Sequence, residues 1–94
     1  MIRHIVAFSA KNSADVPTIR DELARMRDIP GVRSLEVRLN AKRDGLSTEM
    51  DVVLDSTFDT WADLAAYQDH PDHHAATAKV RPLRDQRIVL DYEI

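Results

Sequence analysis

The sequence has no cysteine and only two glycines. Without cysteine there is no disulfide and no thiol nucleophile, and a reducing cytoplasm is the expected setting. There is no Gly-rich phosphate loop, no dinucleotide fingerprint and no serine nucleophile elbow. The apolar run that follows Met1-Ile2-Arg3-His4 is too short for a signal peptide or a membrane span. Charge of one sign is lacking too: 13 Lys and Arg stand against 16 Asp and Glu, a net charge of -3, and the basic residues are dispersed. Nucleic acid and anionic membranes call for a basic patch, so neither is an expected partner.

What is present is a chain of 94 residues, 44% hydrophobic and 31% charged, which is the balance of a folded, soluble domain. At this length only one modest core can be built, so residues 1–94 are read as a single domain. Ile2, Val6 and Phe8 alternate with Ile5 and Ala7, predicting a strand over Ile2–Ser9 that is partly apolar on both faces. Asn12, Ser13 and Asp15 are candidate caps and Pro17 suits a first helical turn. Val16, Ile19, Leu23 and Met26 then recur at helical spacing, predicting an amphipathic helix over about 16–28 that stops at Pro30-Gly31.

Val32–Leu39 alternates again, with Leu35, Val37 and Leu39 opposite Ser34, Glu36 and Arg38, as in a half-buried strand. Beyond a polar loop around Gly45, Thr48–Phe58 reads as a third strand with Met50, Val52, Leu54 and Phe58 on one face. Asp59 is the candidate cap of a helix carrying Trp61, Leu64, Ala65 and Gln68, which Pro71 ends. A third, short helix follows toward Arg81 and Pro82. Ile88–Ile94 closes the chain as a strand buried on at least one face.

The order strand, helix, strand, strand, helix, helix, strand is the split βαβ pattern of an α+β, ferredoxin-like domain with one extra short helix. Such a domain has a four-stranded antiparallel sheet with its helices on one face. The other face meets water unless something covers it. Because the first and last strands carry apolar residues on both faces, a second copy of the chain is the expected cover, giving a homodimer with Ile5 and Val89 in the contact.

Four segments resemble the stress-responsive A/B barrel domain, or Dabb, family: Arg3-His4-Ile5-Val6-Ala7-Phe8, Ile29-Pro30-Gly31-Val32, Tyr67-Gln68-Asp69-His70-Pro71-Asp72-His73 and Val89-Leu90-Asp91-Tyr92-Glu93. They come in the family's order and span nearly the whole chain, and the Tyr-to-His-Pro-to-His segment is the most specific. The resemblance implies a dimeric α/β barrel with a small-molecule pocket between helices and sheet. Some members close rings of linear polyketides by aldol condensation without a cofactor. The working Tyr and His of such a plant cyclase match Tyr67 and His73, and its first-strand His matches His4. A further pocket His of that cyclase falls near Val52, so its own substrate contacts are not expected to carry over.

Ring closure of that kind needs a base near neutral pH beside a carbonyl and a donor for the enolate oxygen. His73 is the candidate base, Tyr67 the donor and His4, on the strand face of Ile2, Val6 and Phe8, a positioning or polarising group. The plainer readings are a core His4 bonded to a carbonyl, a Tyr67 with an exposed hydroxyl and a His73 that serves a helix start. His70, His73 and His74 share a helical face, but no Cys completes a zinc set and Pro71 puts His70 at a boundary, so no metal is assigned. Trp61 is read as core in preference to an aromatic ligand wall. Asp51, Asp55 and Asp59 lack the glycine and terminal Glu of a calcium loop. The expected function is small-molecule binding, with cofactor-free cyclase or lyase chemistry as the activity such a pocket can host. The alternatives are a non-catalytic ligand-binding dimer, a cofactor-independent monooxygenase of the same barrel type and a structural dimerisation module.

Overall fold

The computed structural model describes residues 1–94. The first strand, β1, runs Ile2–Ala10; a tight helical turn at Ser13–Asp15 leads into α1, Val16–Ala24. Asn12 accepts a hydrogen bond from the Ala14 amide at 2.9 Å and so caps the turn, while Asp15 makes no capping bond. The expected helix over 16–28 tightens in its last part, Arg25–Asp28. Gly31 has φ 92, and the Val32 amide donates to the Ile29 carbonyl at 3.2 Å across the turn into β2, Val32–Leu39. Only glycine takes that φ without strain, which places the Pro30-Gly31 turn where the sequence predicts it.

The third strand, β3, is Val52–Phe58 and starts four residues later than expected. The missing residues are folded back: the Met50 amide bonds the Ser47 carbonyl, and the Asn40 side chain donates to the Ser47 and Met50 carbonyls at 3.0 and 2.8 Å. Helices α2, Trp61–Asp69, and α3, Pro71–Val80, follow, and β4 is Arg84–Glu93. Thr60, and not Asp59, caps α2 by accepting from the Asp63 amide at 3.1 Å. The last strand begins four residues before the expected Ile88.

The sheet is antiparallel, in the order β2-β3-β1-β4. One face carries Ile2, His4, Val6 and Phe8 of β1 with Val52, Leu54 and Phe58 of β3. It packs on Ile19, Leu23, Leu64, Tyr67, Ala76 and Val80 of the helices, and these residues form the core. The other face bears no helix. There Ile5 pairs with Leu90, Ala7 with Ile88 and Arg3 with Tyr92. Ile88, Leu90 and Tyr92 keep 46%, 59% and 47% of their surface exposed. Val89, expected in an outer contact, instead pairs with buried Val6 and packs against the core from the helix side. Successive side chains of a strand point to opposite faces, and the β1–β4 register gives the outer face to Leu90.

Candidate functional site

Pro71 disfavours a helical conformation for the residue before it, and His70 has ψ 143 between α2 and α3. Its Nδ1 accepts from the Asp72 amide at 3.1 Å, so the histidine that serves the helix start is His70. One turn on, the His73 ring meets the Tyr67 ring edge-on, with centroids 4.8 Å apart. Tyr67 in turn lies 4.9 Å from the Phe58 ring and 6.3 Å from that of His4. The three singled-out rings thus form a contiguous row, His4, Tyr67, His73.

The row differs in access. His4 is 2% exposed and Tyr67 1%, while His73 is half-buried. His4 Nδ1 lies 2.5 Å from Asp91 Oδ1, its cross-strand partner; an ionised carboxylate only accepts, so Nδ1 carries the proton. The Tyr67 hydroxyl is not exposed: it donates to Met26 Sδ at 3.6 Å. Burial pushes its pKa well above the ordinary phenol value, against the pull of the Arg87 charge. Burial also lowers the His73 pKa to about 4, and the positive charges of His74, His4 and Arg87 act in the same direction. At neutral pH the His73 ring is uncharged.

Beside His73 opens a cleft of about 280 Å³. Phe8, Leu23 and Val80 supply its apolar lining, and Gln68, His73, His74, Thr77, Arg81, Arg84 and Arg87 its polar one. His4 and Tyr67 stand behind the wall and do not line it. The arginines were not singled out by the sequence, and a β-bulge explains why. Phe8 pairs with Arg87 and Ala10 with Arg84, so three steps on β4 span two on β1. Residues three apart normally point to opposite faces; the bulge turns both arginines to the helix side. The Ser9 hydroxyl, itself buried, accepts the Gln86 amide at 2.8 Å within the bulge.

His70, His73 and His74 are not gathered around one point, and no group of three or more His, Asp or Glu side chains is placed to hold a metal. His74 Nε2 instead faces Asp69 at 3.7 Å. Trp61, expected in the core, is 47% exposed and donates its indole N–H to Glu93 Oε1 at 2.9 Å. Position 61 falls outside the core-facing stripe of Leu64 and Tyr67. Asp51 accepts from the Ala10 amide and from Lys42, at 2.8 and 2.5 Å, which ties the loop end to β1.

An antiparallel β2-β3-β1-β4 sheet with its helices on one face defines an α+β, ferredoxin-like domain, here with an open cleft at one end of the helix layer. The chain belongs to the stress-responsive A/B barrel domain family, whose profile matches residues 2–94. No curated protein matches the sequence significantly. Among solved structures it is similar to a dimeric ferredoxin-like protein of unknown function from Thermobifida fusca: 25% identity, TM-score 0.84, covering 99% of this chain and 90% of that one. It is also similar to a Dabb family protein with a ferredoxin-like fold from Mesorhizobium loti, at 23% identity and TM-score 0.84 over 99% and 95% of the two chains. A hydroxynitrile lyase from Passiflora edulis shares the fold at 19% identity and TM-score 0.83, over 99% and 92%.

Proposed function

We propose that this protein is a homodimer that binds a small molecule in the cleft beside His73. The dimer reading rests on the row Ile88, Leu90 and Tyr92, which with Ile5 makes the helix-free face apolar along β1 and β4. An exposed apolar face of this kind on a small domain is an association signal. On the same face Arg3 Nε, shielded from solvent, lies 3.6 Å from Asp55 Oδ1 but makes no hydrogen bond within the chain. The Thermobifida protein, of the same fold, is described as dimeric.

The observation that carries the binding reading is the cleft itself. Polar groups that converge beside a few apolar side chains, with a histidine of strongly lowered pKa among them, mark a candidate ligand site, and its volume suits a small ligand. The test is a nuclear magnetic resonance screen of linear poly-β-keto acids and simpler carbonyl compounds, with Thr77→Trp as the variant that fills the cleft. Binders should shift the His73 and Val80 signals and lose affinity in the variant. Shifts confined to other surfaces, or unchanged affinity in Thr77→Trp, would overturn the reading.

Turnover is the second reading. His73, uncharged at neutral pH and open to the cleft, is the group to take a proton next to a carbonyl, without a cofactor. Tyr67 would be its donor partner and His4 a positioning group held by Asp91. The buried Tyr67 hydroxyl on Met26 and the weak basicity of His73 favour binding over this chemistry, since a good general base titrates near the working pH. If ring closure occurs, His73→Ala should lower it by about a hundredfold or more while ligand affinity changes far less. Full activity in that variant would move the base elsewhere.

A further inference from the structure

We infer that the ligand of this cleft carries a carboxylate, bound by Arg81, Arg84 and Arg87, with its apolar part on Phe8, Leu23 and Val80. The inference rests on the cleft being the ligand site and adds the chemical class.

Three arginines line one small cleft, close enough for the Arg84 and Arg81 charges to act on Arg87, in a chain that is acidic overall. Arg3, Arg20, Arg25, Arg33 and Arg38 each face a carboxylate, and Arg27 donates to the Leu35 carbonyl; Arg81, Arg84 and Arg87, like Arg43 in the loop, form no ion pair, but only these three line a cleft together. The acid whose charge acts on Arg87 is Asp91, and its carboxylate is already hydrogen-bonded to His4. Burial and then the neighbouring Arg84 charge make the Arg87 cation less favourable than an ordinary one. Like charges crowded in a partly desolvated place repel, and an anion between them relieves the repulsion with charge-assisted, forked hydrogen bonds.

The backbone is also shaped for this. Without the bulge between Phe8 and Ala10, Arg84 and Arg87 would lie on opposite faces of the sheet, and buried Ser9 supplies a bond within the irregular stretch. Bulges that re-aim side chains are common beside binding sites. The remaining walls set the kind of anion. Phe8, Leu23 and Val80, core residues only 5%, 1% and 2% exposed, offer a narrow apolar floor next to the charged head. Arg81 caps the C-terminal end of α3, where the helix dipole is negative. That end works against a multiply charged phosphate, which is better served by a helix N-terminus, and less against a single carboxylate.

Benzoate, benzamide and phenyl phosphate separate the cases, each titrated into the parent protein, Arg87→Gln, Arg84→Gln and Thr77→Trp by calorimetry and resonance shifts. Benzoate should shift Phe8 and Val80 signals and bind about tenfold or more tighter than benzamide, the scale of one charge-assisted hydrogen bond. Either arginine variant should remove most of that preference, and Thr77→Trp should remove binding of both. Equal affinity for benzoate and benzamide in the cleft would overturn the carboxylate assignment and leave the ligand site standing. Tighter binding of phenyl phosphate would overturn it in favour of a phosphate. Binding that survives Thr77→Trp unchanged, or no shift at any cleft residue with any of the three, would overturn the site as well.

Discussion

Leu90→Asp tests the sheet-to-sheet dimer most directly. Leu90 stands opposite Ile5 on the helix-free face, between Ile88 and Tyr92, with 59% of its surface exposed in the single chain. Full burial of a leucine side chain stabilises by about 1.5–3 kcal/mol, so covering the exposed part contributes about 1 kcal/mol or somewhat more. The aspartate forfeits this and adds the cost of dehydrating a carboxylate in an apolar contact, about 2 kcal/mol after water penetration. Arg3, which could neutralise it, already faces Asp55 at 3.6 Å. The loss is then about 3 kcal/mol per protomer. A two-fold axis places the substitution twice, so the dimer loses about 6 kcal/mol, or a factor of roughly 10⁴ in Kd. Sedimentation velocity over a dilution series should show the parent as a dimer at micromolar protein and the variant as a monomer. Circular dichroism should be unchanged, because Leu90 contributes little to its own chain's core. Leu46→Asp, at an 87% exposed loop position, is the control and should leave association as it was. A Leu90→Asp protein that dimerises as tightly as the parent would refute the argument, as would a parent that stays monomeric throughout.

Stability should fall on acidification because of His73: its pKa is about 4 when folded and near 6.5 unfolded. The unfolded chain therefore binds the extra proton first; the contribution is complete above pH 6.5 and is lost as pH falls toward 4. Discounted for the solvent that reaches the half-buried ring, it amounts to about 1–2 kcal/mol, and urea midpoints that move equally with pH in His73→Gln would refute it. Tyr67→Phe keeps the buried ring and gives up only the bond to Met26 Sδ, so it should cost less than about 1 kcal/mol by chemical denaturation. A loss of several kcal/mol would mean that the hydroxyl has a stronger partner. Ser9→Ala leaves the Gln86 amide without its 2.8 Å acceptor and should cost about 1–3 kcal/mol while weakening benzoate binding. Unchanged stability and affinity would show that the bulge does not depend on that bond.

How much of this was legible depends on whether a residue's neighbours are set by local period or by pairing. In β1 the alternation of Ile2, Val6 and Phe8 with Ile5 and Ala7 already assigns both faces, and His4 follows by parity into the core. The Pro30-Gly31 turn and the break before Pro71 were equally readable, because they follow from what proline and glycine do to their own backbone. In β4 the same method stops working. Ile88, Leu90 and Tyr92 alternate with Val89, Asp91 and Glu93, but the more apolar set is the one that faces away from the helices, and only the pairing of Val89 with Val6 reveals it. Arg84-Asp85-Gln86-Arg87 gives no strand signal, since an edge strand can be held by backbone bonds to β1 with little apolar content.

The candidate site divides along the same line. That Tyr67 and His73 lie close follows from the helix break between them, but Met26, which accepts the Tyr67 hydroxyl, stands 41 residues away. The contact that removes Tyr67 from the cleft is therefore a property of packing. The arginine wall is another: it needs the bulge, the bulge needs the β1–β4 register, and neither has a local mark. Histidines on helix α3 gave the candidate site its visible half, and two of its arginines, Arg84 and Arg87, came from the stretch where the strand signal was missing. If the proposed anion binds beside Arg84 and Arg87, its charge would stabilise the imidazolium and raise the low His73 pKa toward the range where a general base is effective, so binding and any chemistry at His73 would be coupled.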